Sequence, residues 1–149
     1  MMTVLLRQAA SLIAAVAVSA AAAAADPLTD AVAEADALVA EGRLEEATGR
    51  LDDALARHPD SALLHLRLGG VELLRQRHAE AVGAFKAAVR AGSEGAGAFV
   101  GLGMAYLHMG RYGPARAALE EAARRDPARR ADVERVLAWL DDRAMRPPH

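Results

Sequence analysis

FVGLGMAYLHMGRYGPARAALEEAARRDP, running from Phe99 to Pro127, is the stretch on which the fold turns. Within it Leu102-Gly103 is followed by Tyr106, a Gly110-Arg111-Tyr112 turn comes next, and Ala115, Leu119, Ala122 and Pro127 complete the pattern. Glycine at the turn and proline at Pro114, a residue type favoured in a helix's first turn, separate two helical segments.

This order resembles one tetratricopeptide repeat, a pair of antiparallel helices, A and B, that stacks on copies of itself with a period of about 34 residues. Stepping back by one such period takes Ala115, Leu119 and Ala122 to Ala81, Phe85 and Ala88, and again to Ala47, Leu51 and Ala54. Leu102-Gly103 steps back to Leu68-Gly69, and two steps take Pro127 to Pro59. Small residues let helices A and B approach closely, while Leu51, Phe85 and Leu119 fill the space between neighbouring pairs. An ordinary alanine-rich bundle has no reason to keep this register. Three positions depart from it: Glu34-Ala35 stands where later repeats have Leu-Gly, Gln76 replaces the turn glycines Gly42 and Gly110, and Ser93 replaces proline.

The resemblance covers Leu28 to Leu140 and implies an all-α fold, a right-handed α-α superhelix of three helix pairs plus a C-terminal capping helix. Repeats are expected at about 28–61, 62–95 and 96–129, inside a domain spanning 26–144, with the cap at about 129–143 and a tail at 145–149. Thr29 or Asp30 is expected to cap the first helix, Ser61 the third, and Pro114 to begin the last B helix. In the cap, Val133, Val136, Leu137 and Leu140 form one apolar stripe that would cover the open end of repeat three. Trp139, the only tryptophan, lies about 60° off that stripe at ~100° per residue and is read either as a flank of the core, the favoured reading, or as a partly exposed anchor.

Residues 1–25 are a different kind of sequence. Arg7 precedes an apolar run, Ala9 to Val18, then Ser19 and an unbroken Ala20 to Ala25. A positive start, a short apolar segment and small residues before a cleavage point are the anatomy of a secretory signal peptide. The alanine-rich span is only weakly hydrophobic, whereas a bilayer crossing takes ~20 mainly apolar residues, so no membrane insertion is expected after cleavage. The signal anatomy, the alanine tract and 17 arginines against a single lysine, Lys86, together make the periplasm of a bacterium the expected setting.

Enzyme chemistry is thin. The part after residue 25 has no Cys or Asn, only Ser61 and Ser93 at turns, and no glycine-rich loop after a strand, so acyl and phosphoryl transfer lack apparatus. His58, His65, His78, His108 and His149 include no i, i+4 pair; neither catalysis nor a metal or other cofactor is expected. Charge is uneven, net −7 over Asp26 to Ser61 and net +4 over Ala62 to His149. The arginines are dispersed among acids and aromatics make up only 3% of the chain, which argues against nucleic-acid binding.

What remains is the surface such arrays use. The resemblance implies a concave groove lined by A helices, and its register names Val32, Val39, Leu63, Leu66, Leu73, Leu74, Val100, Met104 and Leu107 as the apolar partner-binding residues. Without Asn the groove cannot be the polar kind that clamps a terminal carboxylate. The expected function is a protein-interaction adaptor or scaffold, binding a protein or peptide segment during assembly of a cell-envelope complex. The alternative is a self-association module whose groove is filled by another copy; the same stripe could also be core in part.

A fusion of Met1 to Asp26 with a reporter active only outside the cytoplasm should give signal, and mass spectrometry of the native protein should find an N-terminus near Asp26 or Ala21. An intact N-terminus embedded in membrane would sink the export reading.

Overall fold

The computed structural model describes residues 26–145, so the signal-peptide expectation for 1–25 and most of the tail lie outside the described residues. By its contacts the chain divides into Met1–Asp30 and Ala31–His149. In the first unit the described part is the opening turn of α1 (Pro27–Ala40). There Asp26 Oδ1 accepts the Leu28 N–H at 3.3 Å, so Asp26 with Pro27 behind it starts the helix, ahead of the expected caps Thr29 and Asp30.

All described elements are helical. After α1 come α2 (Leu44–Arg57), α3 (Ala62–Leu74), α4 (His78–Arg90), α5 (Gly97–His108), α6 (Tyr112–Arg125), a 3-10 turn (Pro127–Arg129) and α7 (Arg130–Met145). Ser61 caps α3 as expected, its Oγ accepting the Leu64 N–H at 3.3 Å. Helix α6 starts at Tyr112, placing Pro114 inside its first turn, where a missing N–H costs nothing because the first four have no intrahelical partner. Asp126 caps the 3-10 turn by accepting the Ala128 N–H at 3.1 Å.

One device ends α1, α3 and α5. Gly42, Gln76 and Gly110 adopt φ of 75°, 60° and 68°. The next residue's N–H then reaches back past a full turn of helix: Arg43 to the Leu38 carbonyl, Arg77 to Glu72, Arg111 to Tyr106, each at 2.9 Å. The turn residue itself donates to Val39, Leu73 and Leu107 respectively at 3.0 Å. These paired bonds satisfy carbonyls the helix leaves open and reverse the chain into helix B. Gln76 holds the same left-handed geometry with a Cβ, a strain of ~1–2 kcal/mol that glycine avoids.

Packing follows the repeat register. Ala47, Ala81, Ala115, Ala54, Ala88 and Ala122 are all buried, as are Leu51, Phe85 and Leu119. Phe85 of α4 lies against Gly69 of α3 and Gly101 of α5: a Cβ at Gly69 would come within 2.7 Å of two ring atoms, and one at Gly101 closer still. Leu119 meets Gly103 in the same way, where a Cβ would lie 2.6 Å from Leu119 Cδ2. One period after Gly103 stands Leu137, whose bulk does not allow the approach that Gly103 gives Leu119. Helix α7 packs instead on α6 and the 3-10 turn, burying Val133 and Leu140.

The joint between α2 and α3 is partly polar. Glu72, only 5% exposed, accepts from Arg75 Nη1 at 2.9 Å, and the same nitrogen donates to Thr48 Oγ1 at 3.1 Å. Ion pairs Arg50–Glu34 at 3.1 Å and Arg67–Asp36 at 3.5 Å tie α1 to α2 and α3.

Glycine-to-alanine substitutions should therefore split by position. Gly83→Ala, where nothing lies within 4 Å of an added Cβ, should stabilise by ~0.5–1 kcal/mol because alanine restricts the unfolded chain and favours helix. Gly101→Ala should destabilise by ~1–3 kcal/mol through overpacking against Phe85, and Phe85→Ala by ~3–5 kcal/mol. Urea unfolding measures all three; an equal response of the two glycine variants would refute this packing.

Candidate functional site

The A helices α1, α3 and α5 carry the expected groove positions, and the structure sorts them into three groups. Leu63, Leu74 and Met104 are open, at 41%, 57% and 40% exposure. Val39, Leu66, Leu73, Val100 and Leu107 are half-buried. Val32 is a correction: at 8% exposure it sits with Ala31 and Ala35 on the buried face of α1 and offers no surface to a partner. Leu66, Leu73 and Leu107 also pack against the core cluster built on Phe85, Leu102 and Tyr106. Leu66 leans toward Gly97, where an added Cβ would meet its methyl groups at 3.8 and 3.9 Å. These leucines thus serve the fold with one side and the surface with the other, and the apolar stripe is narrower than the register implies.

The stripe leads into a cavity of about 510 Å³ between α5 and α7. Met104 and Leu107 form one wall, and Asp132, Arg135, Val136 and Trp139 the other. Of the two readings of Trp139, the favoured flank of the core gives way to the exposed one: it is 48% exposed and lines this cavity. Tyr112 meets it edge-on with ring centroids 6.3 Å apart and planes at 81°. The Arg143 guanidinium lies 5.5 Å from the Trp139 ring centre and 5.8 Å from that of Tyr112, and its Nε donates to the Tyr112 hydroxyl at 3.0 Å. A signal for the cavity exists in the register: one period after Gly101 and Ala105, both buried, come Arg135 and Trp139. Neither can enter the close helix contact that glycine and alanine allow.

Charges around this surface are largely paired. Asp132 accepts from Arg135, and Asp141 from Arg116. At the opposite end of the array, a cleft of about 600 Å³ between α1 and α2 is lined by Glu34, Glu41, Glu46, Asp53, Arg43 and Arg50 among others. Arg43 donates to Glu46 at 2.8 and 2.6 Å and holds its carboxyl below the usual carboxylate range, chiefly by those hydrogen bonds. His78 and His108 stack with centroids 4.7 Å apart. Among the described residues no group of three or more His, Cys, Asp or Glu is arranged to hold a metal ion, and no helix is long and apolar enough to cross a membrane.

Two sequence profiles described as Tetratricopeptide repeat match the chain, one over residues 32–96 and the other over 72–140. No curated protein matches. Among solved structures, the MamA RS-1 ArsTM double mutant superposes with a TM-score of 0.71 at 24% identity, over 80% of this chain and 66% of that one. The Yersinia enterocolitica type III secretion translocator chaperone SycD gives 0.73 at 14% identity, over 83% of this chain and 98% of that one. YrrB, a TPR protein with an unusual peptide-binding site, gives 0.59 at 26% identity, over 70% of this chain and 59% of that one. The chain thus spans about two thirds of the MamA structure and less of YrrB. The likenesses to MamA and SycD speak to the fold.

Adjacent residues on α3 give a direct test of which leucines are surface. Leu63→Ser should change unfolding stability by no more than ~0.5 kcal/mol, while Leu64→Ser, at a fully buried site, should cost at least ~3 kcal/mol. Thermal melts of the two variants measure the difference.

Proposed function

Because the chain belongs to the tetratricopeptide repeat family, we propose that it is a non-catalytic adaptor that holds a segment of a protein partner against its apolar concave stripe. The observation that carries this reading is the exposure of Leu63 and Leu74 on α3 and of Met104 on α5, two A helices that also carry half-buried Leu66, Val100 and Leu107. Exposed apolar residues that adjoin one another, and do not stand singly, mark an interaction surface. Leu66, Leu73 and Leu107 anchor the stripe in the core, so the surface is rigid before a partner arrives and binding loses little to ordering. The peptide-binding site of YrrB and the chaperone role of SycD, each a property of its own protein, favour the same kind of function here. The signal-peptide anatomy of residues 1–25 supports action outside the cytoplasm, with assembly of a cell-envelope complex as the role proposed.

Leu63→Ser combined with Leu74→Ser tests the groove without touching the core. Full burial of one leucine is worth ~1.5–3 kcal/mol, and both residues are about half exposed, so the pair should weaken capture of the partner by roughly tenfold to a hundredfold. Circular dichroism should be unchanged. A folded double variant that captures the same periplasmic proteins at full strength would refute the groove, and a stable dimer by light scattering that the variant dissolves would identify a second copy as the occupant.

A further inference from the structure

We propose that the cavity between α5 and α7 receives one uncharged aromatic side chain of the bound segment, and so sets which segments bind. This rests on the adaptor reading, since the cavity continues the stripe that reading uses. Between α3 and α5 the corresponding space is closed by the helices themselves, which lie alongside each other. Between α5 and α7 the described residues leave a cleft of about 510 Å³, which a side chain of a bound segment can enter.

The walls state what that group is. Met104, Leu107, Val136 and Trp139 are apolar, and the charged residues at the mouth, Asp132 and Arg135, already neutralise each other. A lysine or aspartate set among these apolar walls would give up water, and Asp132 and Arg135 are already engaged with each other. An aromatic ring loses nothing of that kind, and gains stacking with an indole and contact with a thioether, each favourable beyond area alone. Trp139 is pre-positioned for this by Tyr112 and Arg143, so the receiving ring needs little ordering.

The protein carries its own reporter, because Trp139 is its only tryptophan. Random dodecapeptides displayed on phage are panned against the immobilised protein, and enriched peptides are synthesised and titrated while Trp139 emission is followed. The expected result is a shared aromatic position, a blue shift of the emission on binding, and about tenfold or greater loss of affinity, ~1.4 kcal/mol or more, when that aromatic is changed to lysine. Met104→Glu, at an exposed wall position, should keep the fold and abolish the aromatic preference. Peptides that need Leu63 and Leu74 but leave Trp139 emission unchanged would overturn the cavity proposal while the groove stands. Peptides that shift the emission but ignore Leu63→Ser with Leu74→Ser would overturn the groove while the cavity stands. No enriched peptide, or binding only of free N-acetylphenylalaninamide, would overturn the proposal, the latter in favour of a small-molecule site.

Discussion

The ring of Phe85 sits where two glycines, Gly69 of its own pair and Gly101 of the next, leave no Cβ to hold it off. Around this contact the centre of the array is arranged. A phenyl ring that bridges two successive A helices from a B helix couples within-pair packing to between-pair packing, so neither can shift without opening a void or a clash. Buried alanines at 81, 88, 98 and 105 keep the surrounding helices close enough for the ring to fill the gap. Burial of small and medium side chains along a stack thereby replaces the single aromatic core of a globular domain, which explains how a chain with only 3% aromatic residues folds.

The same constraint shapes how helix α7 packs. Helix α7 continues the A-helix register with Val133, Val136 and Leu140 but carries Leu137 where Gly69 and Gly103 stood, together with Arg135 and Trp139 in place of small residues. It closes the apolar end of α6 by setting Val133 against Leu119 and Ala123, with Val136 and Leu137 partly buried beside it. It cannot settle against α5, because an indole will not enter a contact shaped for alanine. Capping and the opening of a cavity are therefore two effects of one set of substitutions, and the surface left over lies beside the groove.

The repeat could be read in the sequence because its cause is local and periodic. The positions that need glycine, alanine or a turn recur once in every period, and each has a packing reason that holds in every pair. Ser61 as a cap and the left-handed turn at Gln76 followed from the same register. The site was only half legible. Register shows which residues face the concave side but not how deeply each is covered, and that depends on the distance between neighbouring A helices; hence Leu66 and Leu73 proved partly core and Val32 wholly buried, while Leu63 and Leu74 stayed open. Trp139 was left between a core flank and an exposed anchor for a related reason: its angle on α7 does not say that α7 packs on α6 and the 3-10 turn without a close contact to α5. Asp26 as the first cap was overlooked because Thr29 and Asp30 are equally good capping types, and nothing local ranks them once Pro27 is allowed inside the helix.

The first joint of the array differs from the second in kind. Between α2 and α3 the Thr48, Glu72 and Arg75 side chains form a hydrogen-bonded cluster, and Glu72 Oε2 has no hydrogen-bond partner among the described residues. Between α4 and α5 the register equivalents of Glu72 and Arg75 are Tyr106 and Met109, and the contact is apolar. A buried ion pair contributes little net stability after desolvation, yet breaking one partner is costly. Such a joint holds α3 to α2 in one register more than it adds to stability, whereas the Phe85 joint supplies the burial. The apolar cluster around Phe85 spans the second and third pairs, which also carry Leu63, Leu74 and Met104. The surface that is open to a partner is thus built on the two pairs that this ring packs together.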